Sequence, residues 1–363
     1  MSNYLEYKDR IAFHPGYYIK ELVDRSGLTQ EDFAKRMDTT PKNLSLLIRG
    51  EQNMSIDIAV KLSRLEGTSI NYWLNLQKTY DAVLAEFKSD QELDAEREAF
   101  RHLDYNFFQK EFGLPKISEN ADDATDKQIE KLRRFLKISS LSALKKRDMS
   151  VSFRGTTKDL TDAEMIRANA MVEIAVNRSL MVQNARYDRK IFLKQVEFAK
   201  TLTKEHDNFF PELRSAYYTA GVIFIILPHI PGSTLKGATK KVGQSVLLMV
   251  SDRCTYADSF WFTMFHEMGH IIHGDFGISF ENETGEIEEE ADRFAREHLI
   301  PETQYQEFIK QDMFDKSSIL AFAESINRDP GLVVGRLQND GKIKKNAYND
   351  LRHRYKVCIA SPQ

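Results

Sequence analysis

The chain holds one pattern whose residue types and spacing could do chemistry: His266-Glu267-Met268-Gly269-His270, with FWFTMF before it and II after it. The apolar density predicts a helix over 258–273. On a helix, residues four apart share a face and lie about 6 Å apart along the axis. Two imidazoles so placed can meet one tetrahedral Zn²⁺ at about 2.0–2.1 Å each. Glu267 falls one residue round the helix, beside the coordination position left open. A carboxylate there can take a proton from water. Without a metal, three polar side chains would be buried unpaired in a core helix, at high cost. A bound cation removes that cost.

A catalytic zinc takes three protein ligands and keeps one position open. A third His ten residues after His266 would complete one arrangement, but Phe276 stands there, and His273 stands where that arrangement needs Gly. A second arrangement draws a Glu from the following helix. Segment 281–290 carries six Glu, and within Glu288-Glu289-Glu290-Ala291-Asp292 the pair Glu288 and Asp292 are four apart. A ligand carboxylate and a polar residue that orients the ligands can therefore face the same way. Glu288 is the first candidate, with Glu289 and Glu290 as competitors. Others of the six simply suit the positive end of a helix. His273 lies about 10 Å along the axis from His266, too far for the same ion; a structural or substrate-side role is expected.

HEMGHIIHG followed by EIEEEADRFAREHLIP closely resembles the ImmA/IrrE family of zinc metallopeptidases. The upstream strand, FWFT and the downstream AFAESINRDPGLVVGRLQNDG extend the likeness over roughly 215–345. In that family the third ligand is a Glu three residues before an Ala-Asn or Ala-Asp pair; here the pair is Ala291-Asp292, which maps the ligand onto Glu288. The resemblance implies a gluzincin-like domain, a small sheet over the active-site helix and a Zn²⁺ cofactor. It implies a protein substrate of the repressor or antitoxin kind, whose cleavage switches on genes under stress. It also implies that 246–251 is an edge strand, so that Leu248, Met249 and Val250 would carry substrate in extended form.

Segment 28–50, LTQEDFAKRMDTTPKNLSLLIRG, reads as two short helices separated by Asp38-Thr39-Thr40. Thr29 and Thr40 are N-caps, Pro41 opens the second helix, Ala34 sits where the helices cross, and Leu44 and Leu47 face inward. The segment resembles the Cro/repressor-type helix-turn-helix. HPGYYIKELVDRSGLTQEDFAKRM through INYWLNLQKTYD resembles HigA-type antidote proteins. By that resemblance the recognition surface is Pro41, Lys42, Asn43, Ser45 and Leu46, with Gln30 at a phosphate contact. Pro41 and Leu46 make no directed bonds to base edges, which leaves Lys42, Asn43 and Ser45. Residues 1–50 hold eight Lys+Arg against seven Asp+Glu. With a whole-chain net charge of −3, any DNA contact must be local. Operator duplex, single-stranded DNA acting as an activator, and a homodimer formed through this module are the candidate partners.

Around these sites the expected fold is mainly α with a small β-sheet (α+β): an N-terminal helix-turn-helix bundle followed by a gluzincin-like metallopeptidase domain. Domains are expected at 1–85 and 151–363, joined by a helical connector over 86–150. Gly113-Leu114-Pro115 breaks the connector, and a polar linker lies near 117–127. Val222–Leu227 and Ser245–Ser251 read as strands, and the Gly- and Lys-rich stretch between them as a loop. Segment 341–363 carries six Lys+Arg against Asp350, a basic end suited to a solvated tail, nucleic acid or an acidic peptide.

Two cysteines are too few for a disulfide framework. The opening MSNYLEYKDR lacks a signal-peptide core, and GVIFIILP is far short of the ~20 apolar residues of a membrane span. A cytoplasmic protein is expected. The reading is a zinc endopeptidase with a DNA-binding head that cleaves a repressor, an antitoxin-like protein or itself. The alternative is an antitoxin-type transcriptional regulator whose zinc domain senses or supports.

Overall fold

A computed structural model describes residues 3–117, 123–146, 160–182, 185–253, 255–280 and 284–357. The chain separates into two compact units, Met1–Ala95 and Glu96–Gln363. The division lies inside a long helix, neither at 85 nor at the polar stretch 117–127. Of that stretch, 118–122 lie outside the described residues, and Asp123 already stands at the N-terminus of a helix.

The first unit opens with an antiparallel hairpin, β1 (Tyr4–Tyr7) and β2 (Arg10–Phe13). Five helices follow: α1 (Pro15–Ser26), α2 (Gln30–Arg36), α3 (Pro41–Ile48), α4 (Ile56–Glu66) and α5 (Ile70–Phe100), which runs past the division. Their starts follow from side-chain caps. Thr29 Oγ1 accepts from the Asp32 amide at 3.1 Å, and Thr40 Oγ1 from the Asn43 amide at 3.1 Å. Each satisfies a helix amide that has no backbone partner. Ala34 is fully buried beside Phe33, Leu44, Leu47 and Leu62, so the α2–α3 pair sits on one shared core.

The second unit continues through α6 (Tyr105–Phe112), α7 (Ala124–Leu136), α8 (Asp162–Ser179), α9 (Arg189–Thr201) and α10 (Phe209–Thr219). Then come β3 (Val222–Leu227), β4 (Leu235–Val242), β5 (Ser245–Ser251), α11 (Ala257–His273), β6 (Gly277–Phe280) and α12 (Glu286–Leu299). The unit closes with α13 (Glu302–Lys310), α14 (Lys316–Ser325) and α15 (Pro330–Asn339). The sheet order is β3-β5-β4-β6, with β5 parallel to β3 and β4 antiparallel to both neighbours. The architecture is mainly helical with small sheets, as expected.

Two expectations need correction. The stretch read as a loop between the two strands contains β4, because pairing with β5 and β6 outweighs the poor strand propensity of Gly237 and the lysines. Strand β5 is interior, not an edge. Leu248, Met249 and Val250 are fully buried, with β3 hydrogen-bonded on one side and β4 on the other. A peptide cannot add to a strand whose two rows of backbone groups are both in ladders.

One core joins α10, the sheet, α11 and α15, through Leu213, Tyr217, Phe224, Leu248, Trp261, Met264, Phe265, Met268, Val333 and Leu337. No helix among the described residues is long and apolar enough to cross a membrane.

Candidate active site

Helix α11 is buried along most of its length, which fixes its rotation. Phe260, Trp261, Met264, Phe265 and Met268 face the core, and His266, Glu267 and His270 are turned toward β4 and α12. The far end of α11 is also held. Arg189 Nε donates to the Ile272 carbonyl at 3.0 Å, and the Tyr187 hydroxyl to the Ile271 carbonyl at 3.4 Å. Gly274, at φ 87°, then ends the helix in the left-handed conformation that glycine tolerates.

Helix α12 crosses α11 closely at Gly269. A Cβ there would lie 3.2 Å from Phe294 Cβ and 3.3 Å from Ala291 Cα. That approach delivers one acidic residue of the Glu run. Glu288 is buried, while Glu289 and Glu290 are exposed. Glu290 instead lies 3.7 Å from His273 Nε2, so His273 is directed away from the site.

Three atoms converge. His266 Nε2 and His270 Nε2 are 3.0 Å apart, His266 Nε2 is 3.1 Å from Glu288 Oε2, and His270 Nε2 is 3.4 Å from Glu288 Oε1. Ligands at about 2.0–2.2 Å from one tetrahedral zinc stand roughly 3.3 Å from each other, so the spacing fits that ion without rearrangement. Asp292 Oδ1 lies 2.8 Å from His266 Nδ1. The carboxylate accepts a hydrogen bond from Nδ1–H and leaves Nε2 turned toward Glu288 and His270.

Electrostatics agree with a cation site. Burial disfavours the charge on His266. The bonds to Asp292 and Glu288 and the charge of Glu267 outweigh burial, and the imidazole is raised to about 9. Burial likewise opposes charge on Glu288, but its contacts with His266 and His270 hold the carboxyl well below the usual range. Both shifts show that the surrounding groups favour positive charge at this point.

Glu267 is fully buried beside β4. A Cβ on Gly237 would come within 2.6 Å of Glu267 Oε1. The β4–β6 register shifts between Leu235 and Gly237, a bulge at the same spot. Gly237 was missed in sequence because its stretch reads as a loop. The pairing of a strand glycine with the Glu of HExxH becomes visible only when β4 is laid across α11.

The candidate DNA residues are placed as follows. Lys42 is exposed at the start of α3. Asn43 Nδ2 donates to Thr39 Oγ1 at 2.9 Å, and Ser45 Oγ accepts from Arg49 at 2.9 Å, so both have partners within the unit. Gln30 is half-buried at the start of α2. The basic C-terminal segment is not a free tail as far as it is described. Arg352 makes two bonds to Asp258, at 2.9 and 2.8 Å, and the Tyr355 hydroxyl accepts from Trp261 Nε1 at 3.1 Å. Cys254 and Cys358 lie outside the described residues.

The second unit therefore carries a metallopeptidase-type domain, and the first a helix-turn-helix of the transcriptional-regulator type. Residues 236–325 match the family model of the IrrE N-terminal-like domain, peptidase M78, and residues 19–73 match a helix-turn-helix family. Through its first unit the chain belongs with the helix-turn-helix regulators, and residues 236–325 of its second unit are similar to the IrrE N-terminal-like peptidase domain. It is 35% identical over 79 residues to the uncharacterized HTH-type transcriptional regulator YddM of Escherichia coli (strain K12), covering 21% of this chain and 84% of that protein. It is 32% identical over 76 residues to virulence-associated protein I of Dichelobacter nodosus, covering 21% of this chain and 70% of that protein. Among solved structures it is similar to an addiction module antidote protein of the HigA family from Coxiella burnetii. That match has 28% identity, covers 23% of this chain and 92% of that one, and has a TM-score of 0.21.

Proposed function

We propose that this protein is a zinc-dependent endopeptidase with a DNA-binding head. The observation that carries the reading is the convergence of His266 Nε2 and His270 Nε2 of α11 with Glu288 of α12 within 3.0–3.4 Å, beside the buried Glu267 of α11. His266, His270 and Glu288 would hold the zinc. When bound, the ion supplies Lewis acidity, polarising a scissile carbonyl and making water easier to deprotonate.

The chain's own residues do the rest. Glu267 accepts the proton of the attacking water and then returns it to the departing amine. Gly237 lets β4 pass at contact distance, so the Glu267 carboxylate is confined to one position. Asp292 holds the His266 ring in the tautomer that presents Nε2. Burial of Glu267 and His270 keeps bulk water from the Glu267 carboxylate and strengthens its interactions.

The proposed substrate is a repressor or antitoxin-like protein, or this chain itself, cleaved to release transcription under stress. The proposed DNA contacts are Gln30 at phosphate and Lys42, Asn43 and Ser45 at base edges, with Asn43 and Ser45 exchanging their internal partners for DNA. The helix-turn-helix family match and the regulators it resembles support the DNA half of the reading.

The test is Glu267→Gln. The purified full chain is incubated with zinc, alone and with helix-turn-helix regulators encoded beside it, and fragments are read by mass spectrometry. The variant is expected to keep zinc and DNA binding and to yield no fragments. Fragments at the wild-type rate would overturn the enzyme reading. They would favour the antitoxin-type regulator, in which the zinc domain is a sensing or structural module.

A further inference from the structure

Away from the peptidase site, three ligand-type side chains from distant stretches of the second unit come together. They are His206 between α9 and α10, Asp329 at the start of α15, and His353 beyond α15. We propose that His206, Asp329 and His353 form a second binding site for a divalent metal of the zinc class, one that fastens the C-terminal segment to the active-site helix.

The donor set is two imidazoles and a carboxylate, and one ligand atom from each lies within 4.8 Å of the others. Two nitrogens and one oxygen suit zinc among the divalent metals. Two of the three ligands already stand at ligand spacing, with His206 Nε2 3.1 Å from Asp329 Oδ2.

Both are oriented from outside. Asp329 is buried, and its Oδ1 accepts the Gly331 amide at 2.8 Å, which turns Oδ2 toward His206. His206 Nδ1 lies 2.9 Å from the Tyr355 hydroxyl. That oxygen has two lone pairs and can accept from both Trp261 Nε1–H and His206 Nδ1–H, leaving Nε2 bare toward the carboxylate. Among the described residues no lysine or arginine is paired with Asp329; the ionisable groups that act on it are His206 and His353. A buried carboxylate with no cationic partner is costly, and a metal ion offsets that cost.

His353 is exposed and stacks on His206 with centroids 3.6 Å apart. Binding turns the His353 ring out of this stack so that its nitrogen closes on the same point, and the solvent side leaves room for a fourth, water ligand. The consequence reaches α11. Tyr355 and Arg352, on either side of His353, hold Trp261 and Asp258, which lie on the helix that carries His266.

The experiment uses the full chain with His266→Ala and His270→Ala, stripped with chelator and titrated with zinc chloride. Bound metal is counted, and emission from Trp261, one of two tryptophans, is followed. One zinc per chain with a change in emission is expected. Adding His353→Ala or Asp329→Asn should weaken binding at least tenfold. The chain with native His266 and His270 should bind two zinc, and its His353→Ala variant one; this pair decides the matter if the double variant does not fold. No zinc on the double variant overturns the proposal, as does binding unchanged by both His353→Ala and Asp329→Asn. An emission change that follows pH alone, with no bound metal, also overturns it and makes the cluster a proton-operated latch.

Discussion

Gly237 on β4 lies so close to Glu267 on α11 that even a methyl group has no room: its carbon would sit 2.6 Å from Oε1. Gly237→Ala must therefore displace the Glu267 carboxylate or push β4 outward. Positioned proton transfer contributes about 10²–10⁴-fold to a rate. Gly237→Ala should lower peptidase kcat/KM by about 10²-fold while leaving the zinc at His266, His270 and Glu288 in place. Unchanged turnover would mean that Glu267 needs no such confinement.

Asp292 reaches the proposed metal site through His266 Nδ1, at 2.8 Å. Outer partners of this kind typically carry about 10–100-fold in metal affinity. Asp292→Ala should weaken zinc by that factor in competition with a chelator, with the fold intact by circular dichroism. Equal affinity would make the contact incidental.

The His266 imidazole has a pH signature in the metal-free protein. Burial opposes its charge, yet Asp292, Glu288 and Glu267 raise it to about 9, against about 6.5 in an unfolded chain. A raised histidine gives stability that is complete below about 6.5 and is lost as pH rises through about 9. Urea midpoints of chelator-stripped protein should fall across that window, and less so for His266→Gln. The same proton must leave when zinc binds, so affinity should rise with pH over the window. A midpoint that rises through the window would contradict the assignment.

Arg352 and Asp258 form a two-pronged ion pair with side chains only 10% and 8% exposed. Removing one partner of a buried pair leaves the other charge uncompensated, at a cost of about 3–5 kcal/mol. Arg352→Ala should lower unfolding stability by that amount. A loss of well under 1 kcal/mol would show that the C-terminal segment is not held.

Much of the candidate site was legible in the chain because its signals are local. The i, i+4 spacing of His266 and His270, the pairing of Glu288 with Asp292, and the caps Thr29 and Thr40 all act within one or two helical turns. What was not legible depends on pairing across distance. Gly237 and the lysines of β4 look like loop residues until β5 and β6 supply ladder partners. Whether Leu248, Met249 and Val250 lie on an edge or an interior strand depends on strand order, which no single segment encodes. The hairpin at the N-terminus alternates over only four residues a side, too short to outweigh the helical signals after it. His206, Asp329 and His353 are spread over almost 150 positions, so nothing in the sequence joins them.

The proposed function stands on one zinc ion held by His266, His270 and Glu288. Diffraction from zinc-loaded crystals of the full chain, recorded on both sides of the zinc absorption edge, tests it most directly. An anomalous peak about 2.0–2.2 Å from His266 Nε2, His270 Nε2 and a Glu288 carboxylate oxygen is the expected result. No peak among those three atoms in zinc-saturated crystals would contradict the account.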